Sequence, residues 1–218
     1  MPRNLLIFAL LVSFLVTFIQ LEVFSIAFQK LGLSPGSGLL LIMCALLGSA
    51  VNIPLLRVNS NYDPAAAAQV LRNAASPFGQ RAGYPGKTVI AVNVGGCLIP
   101  VGLCLYQLLA QLVSPLLLLP ALLVVALVSR LASRPVPGIG IGMPVLLAPL
   151  VAVLMALLLE PANPAALAFC SGVLGVLLGA DILRLADIRA MGVPFASIGG
   201  AGTFDGVFLT GIVAALLA

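Results

Sequence analysis

The chain has no histidine and no tryptophan, and only 7% of its 218 residues are charged. A soluble domain carries about a quarter of its residues as Asp, Glu, Lys or Arg, so that class is excluded. With no imidazole and only isolated carboxylates, a zinc centre or a serine–histidine triad lacks its side chains, and no metal or cofactor is expected. Cys44, Cys97, Cys104 and Cys170 stand in apolar runs with no closely spaced pair, so they read as small packing residues. Lys and Arg outnumber Asp and Glu by 10 to 6, but they are scattered over short loops without a basic stripe. Nucleic acid is therefore not an expected partner.

What the chain has is hydrophobic length, with 62% of residues apolar. Runs long enough to cross a bilayer, about 20 residues at 1.5 Å each, lie near 4–26, 36–56, 88–110, 113–130, 142–159, 165–184 and 197–218. The expected fold is all-α: a polytopic transmembrane helical bundle of about seven spans, one integral membrane domain over residues 1–218, with the lipid bilayer as its partner. Pro115 and Pro120 mark the fourth run and Pro144 and Pro149 the fifth, and such breaks need neighbours to satisfy the freed carbonyls. No small-residue cleavage site follows the first run, which reads as a retained signal anchor. A polar segment, Asn59 to Thr88, forms a loop with a short surface helix over Pro64 to Ala75.

Basic residues orient these runs. With the N-terminus inside, Arg3, Arg57, Arg72, Arg81, Lys87, Arg130, Arg134, Arg184 and Arg189 all fall on the inner side and Lys30 alone outside. The result is N-in and C-out, with a cytoplasmic loop at about 57–87 and Glu160 in an outer turn. A faint internal echo is also present: residues 46–54 resemble 177–183, and Asn93-Val94-Gly95-Gly96 resembles Ser197-Ile198-Gly199-Gly200. Read as a repeat, it makes a 3+1+3 arrangement whose halves are parallel.

Polar residues at membrane depth are costly and point to function. Asn52, Asn93 and Asp181 lie five, six and three residues from Arg57, Lys87 and Arg184, so each sits within about 10 Å of the inner boundary. Asp205 is eight residues into the last run, about 12 Å deep. Four polar groups from four runs thus share one layer. Gly199, Gly200, Gly202 and Gly206 with Thr203 make a poor helix, and favour a special backbone conformation there. The Gly95-Gly96 pair reads equally as close helix packing. Asp181 has a plainer reading as an interface residue paired with Arg184, and Asp205 as the N-cap of a helix starting at Gly206. Arg134-Pro135-Val136-Pro137-Gly138-Ile139-Gly140 forms a shaped turn at the cytoplasmic mouth, where Arg134 is a topology residue or attracts an anion.

Two carboxylates at similar depth on consecutive helices can share one proton, leaving one acid and one base. Peptide-bond hydrolysis by such a pair needs neither metal nor histidine.

Ser197 to Gly206, Gly179-Ala180-Asp181, Asn93 to Gly96 and Arg134 to Gly140 together resemble a family of prokaryotic multipass membrane proteins described only as a domain of unknown function. That resemblance covers most of the chain and implies the prokaryotic cytoplasmic (inner) membrane. At the level of topology, Asp181 and Asp205 also resemble the aspartates of presenilin, signal-peptide-peptidase and prepilin-peptidase type enzymes. Those enzymes place the second aspartate in Gly-x-Gly-Asp and the presenilin group places the first in Tyr-Asp, whereas here the aspartates follow Gly179-Ala180 and Gly202-Thr203-Phe204. The Tyr62-Asp63 pair falls in the polar loop.

Three functions remain open at this point. One is an intramembrane aspartyl protease-like enzyme with Asp181 and Asp205 catalytic, a membrane-protein substrate, and Asn52, Asn93, Gly199, Gly200, Gly202 and Thr203 around the substrate. A second is a small-solute or proton-coupled transporter using Asn52, Asn93, Asp181 and Asp205. The third is a non-catalytic membrane assembly factor.

Overall fold

The structure, a computed structural model, describes residues 12–13, 22–59, 87–136, 140–187, 193, 195–200 and 206–218. Asp205, Gly202, Thr203, the segment 60–86 with Arg72 and Arg81, and Arg3 and Arg189 lie outside the described residues.

Helix α1 (Glu22–Lys30) stops at Gly32. There a φ of +73° lets the Leu33 N–H reach Phe28 O at 2.9 Å and the Gly32 N–H reach Gln29 O at 3.0 Å. After a 107° bend, α2 (Pro35–Ser49) begins at Ser34, whose Oγ accepts the Ser37 N–H at 3.2 Å, with Pro35 in the first turn. Strands β1 (Asn52–Asn59) and β2 (Lys87–Asn93) lead into α3 (Val94–Leu109). Next come α4 (Pro115–Ala132), the small hairpin β3 (Arg134–Val136) and β4 (Gly140–Gly142), and α5 (Leu147–Leu159). The chain continues with α6 (Pro164–Arg184), β5 (Phe195–Ile198) and α7 (Gly206–Leu217).

Helix α6 lies at the centre of the described helices and is rich in Ala, Gly, Ser and Cys, which let its neighbours approach closely. Ala165 to Val173 are all buried, and α4, α5 and α7 pack around them. A Cβ on Gly175 would lie 2.6 Å from Val125 Cβ, and one on Gly211 of α7 2.7 Å from the Phe169 ring, so these glycines set how closely the helices approach. On α4, by contrast, Leu116, Leu119, Leu123, Leu127 and Leu131 form an exposed stripe at helical spacing. Such a stripe on an 18-residue helix of mean hydropathy 2.2 is what lipid covers.

The all-α expectation is corrected by a three-stranded sheet in the order β1-β2-β5. Strand β2 pairs antiparallel with β1, from Asn52↔Asn93 to Asn59↔Lys87, and parallel with β5, from Val89↔Phe195 to Val92↔Ile198. In Lys87-Thr88-Val89-Ile90-Ala91-Val92-Asn93 the β-branched residues favour a strand, and one buried on both faces is as continuously apolar as a helix. Pro54, which has no N–H to donate, lies on the edge strand β1 where the register slips. The runs near 36–56, 88–110 and 197–218 are therefore each part helix and part strand. Among the described residues two helices, α4 and α6, have the length and apolarity of membrane spans, or three with the bent α1–α2 pair. Helices α3, α5 and α7 are apolar but shorter.

Cys104 and Cys170 are buried, as packing residues should be, whereas Cys44 is exposed on α2. At the end of the bundle away from the sheet, Lys30 Nζ donates to Leu216 O at 2.9 Å, placing a cation at the carbonyl end of α7.

Candidate functional site

The sheet end of the bundle is built around Asn93. Its Oδ1 accepts the Gly96 N–H at 2.7 Å and so caps α3, which opens with a π turn over Val94–Leu98. Its Nδ2 donates to Ser49 O at 2.7 Å, at the carbonyl end of α2, and to Asn52 Oδ1 at 3.0 Å. Ser197 Oγ donates to the same Asn52 Oδ1 at 2.6 Å. One side chain from each of the three strands thus meets in a single network. Asn93 is only 1% exposed and spends both amide protons and its oxygen on it.

Asp181 enters from the other side. Helix α6 widens into a π turn over Leu177–Asp181 and then tightens to a 3-10 turn over Ile182–Arg184. The π turn is pressed onto α4 at Gly179, where a Cβ would collide with Ala126 O. The π turn of α3 is pressed in the same way onto α2 at Gly95, where a Cβ would collide with Ala45 O. The Asp181 carboxylate Oδ2 accepts the Gly199 N–H at 2.8 Å. Gly199 must be glycine twice over: its φ is +80°, and a Cβ would lie 2.7 Å from Cys97 Cβ and 2.8 Å from Gly96 C. Gly200 follows at φ +94°. This left-handed turn seats the end of β5 on the capped start of α3 and aims an N–H at Asp181.

Asn52, Asn93 and Asp181 therefore share one end of the molecule, joined through Ser197 and Gly199. The remaining expected site residues, Gly202, Thr203 and Asp205, lie outside the described residues. Ser197, which the sequence marks only through its echo of Asn93, also joins this network. Strand pairing sets Ser197 opposite Ala91 instead, two residues away, and the two glycine pairs differ in conformation, one in a π turn and one left-handed.

Arg184 does not pair with Asp181. Its Nε donates to Ser133 Oγ at 2.7 Å, Nη1 to Asp187 Oδ2 at 2.8 Å, and Nη2 to Arg130 O at 2.7 Å and to Ser133 O. The tight turn after Asp181 swings Arg184 to the end of α4, whose last carbonyls have no partner within the helix and carry negative dipole charge. Asp187 also lies 4.0 Å from Arg130. Arg134 is exposed on β3. Among the described residues Asp181 Oδ1 has no hydrogen bond, so the carboxylate is held by Gly199 through one oxygen.

No curated protein and no solved structure matches the chain. The model of one family, described as "Protein of unknown function (DUF1614)", matches residues 46–217, which takes in the sheet, the Asn93 cap, Asp181 and Gly199, and the chain belongs to that family.

Proposed function

We propose that this is an intramembrane aspartyl protease-like enzyme of the prokaryotic cytoplasmic membrane, with Asp181 and Asp205 as its catalytic pair. The observation that carries the reading is the hydrogen bond from the Gly199 N–H to Asp181 Oδ2. It ties the end of α6 to the turn from which five residues of chain lead to Asp205, next to the first residue of α7. A pair sharing one proton hydrolyses a peptide bond in two steps. The ionised carboxylate takes a proton from water as the water oxygen bonds to the carbonyl carbon, and the protonated one donates to the carbonyl oxygen. Collapse of the resulting diol returns that proton to its carboxylate, and the departing amine takes the other as the C–N bond breaks.

The sheet supports the same reading. Strand β5 is an edge strand, and among the described residues no strand pairs with its outer side. Its free main-chain groups suit an extended substrate segment, the form in which a transmembrane helix must be cleaved. In this reading the chain crosses the membrane about seven times, N-in and C-out, with the sheet on the cytoplasmic side beside Arg57 and Lys87. The test is cleavage of transmembrane peptides by the full chain in proteoliposomes, read by mass spectrometry. Asp181→Asn and Asp205→Asn should each abolish it, and cleavage that survives both would sink the proposal.

A transporter is the second reading, favoured by one specific observation. Strands β2 and β5 are parallel, and each runs into a glycine pair with a helix beyond it, as a parallel 3+1+3 repeat requires. Proton-coupled solute uptake blocked by Asp205→Asn, without peptide cleavage, would favour it. If both substitutions leave the cellular function intact, a non-catalytic assembly role is left.

A further inference from the structure

At the end of the bundle away from Asp181 lies a cavity of about 430 Å³, lined by Leu108, the turn residues 111–115 and Glu160. That is ample for a small organic group. Glu160 is placed there at a double cost. It is the C-cap of α5, its N–H bonded to Ala156 O at 2.8 Å, so its carboxylate stands at the negative end of a helix. Its Oε2 is buried, and among the described residues it has no hydrogen-bond partner. The basic group described at this end, Lys30, is engaged with Leu216 O instead.

Gln111 and Ser114, both exposed, add polar groups to the same lining. Ser114 is the N-cap of α4, yet its hydroxyl makes no cap hydrogen bond. Gln111 holds φ +57° at the end of α3, where the Leu112 N–H reaches Gln107 O at 2.9 Å, a position that glycine ordinarily takes. The lining thus combines a buried carboxylate oxygen that has no donor among the described residues with the Gln111 amide and the Ser114 hydroxyl, acceptors suited to a cation that can donate several hydrogen bonds. We propose that this cavity binds a primary ammonium group against Glu160. The ammonium belongs either to a small free amine or to the headgroup of an aminophospholipid.

The full chain is melted in detergent and followed by circular dichroism, with ethanolamine or tetramethylammonium added at equal ionic strength. Ethanolamine should raise the unfolding temperature saturably, tetramethylammonium, which has no N–H, should not, and Glu160→Gln should lose the shift. In nanodiscs, a higher unfolding temperature in phosphatidylethanolamine than in phosphatidylcholine, lost in Glu160→Gln, assigns the lipid headgroup. Equal melting in the two lipids, with the ethanolamine shift kept, assigns the free amine. Absence of a shift in every arm, or an undiminished shift in Glu160→Gln, overturns the proposal. Should Glu160→Gln fail to fold, Leu108→Trp fills the cavity and leaves the carboxylate: loss of the shift supports the proposal, and retention of it overturns it.

Discussion

Replacing Gly199 by alanine puts a Cβ 2.7 Å from Cys97 Cβ and 2.8 Å from the Gly96 carbonyl carbon, in a residue whose φ is +80°. The left-handed conformation alone costs a residue with a side chain about 1–2 kcal/mol. Overpacking against backbone, which cannot rotate away, adds about 1–3 kcal/mol. The sum is a destabilisation of about 2–5 kcal/mol, or roughly 7–14 °C in Tm for its midrange at this chain length. Gly102→Ala is the matched control, since a Cβ there meets nothing within 4 Å inside α3. It should be neutral or stabilise by about 0.5–1 kcal/mol through helix propensity. Both variants are melted side by side in the same detergent, with circular dichroism as the signal. A Gly199→Ala protein that melts within a degree of wild type would refute the account of this turn, and with it the placement of the N–H that holds Asp181.

Three further substitutions probe the surroundings of the site and the bundle end. Asn93→Ala removes the cap of α3 and the partner of Asn52 and Ser49 O, and should cost about 1–3 kcal/mol in thermal unfolding. Arg184→Met keeps the packing of the side-chain stem but removes the hydrogen bond to Asp187 and the shorter of the two to Arg130 O, which keeps Ser133 Oγ at 3.3 Å. A loss of about 1–3 kcal/mol is expected, and a double-mutant cycle with Asp187→Asn should show the two to be coupled. Gln111→Gly relieves a left-handed residue at a helix end, so it should stabilise the protein by about 1 kcal/mol, the opposite sign to Asn93→Ala and Arg184→Met.

The elements that the sequence shows well are those set by hydrophobic length alone. The runs at 113–130 and 165–184 appear as α4 and α6 within a few residues. Loop charges place Asn52, Asn93 and Asp181 in one layer, and the structure joins them through Ser197 and Gly199. The sheet is hidden because Val89 to Val92 are apolar on both faces, and a continuously apolar segment carries no period to tell strand from helix. The plainer reading of Asp181 as the partner of Arg184 rests on a regular helix, which brings residues three apart onto one face. The change from π to 3-10 winding between Asp181 and Arg184 rotates them apart. Gly179, inside that π turn, rests against Ala126, a contact between distant parts of the chain that local sequence does not reveal.

The separation of the Asp181 and Asp205 carboxyl groups, measured in an experimental structure of the full chain in a lipid nanodisc, tests the central claim most directly. The account predicts carboxyl oxygens close enough to share a proton directly or through one water, about 3–5 Å apart, with the Gly199 N–H still on Asp181. Carboxyl groups held well over about 10 Å apart by rigid helices, beyond the reach of a shared proton, would contradict it.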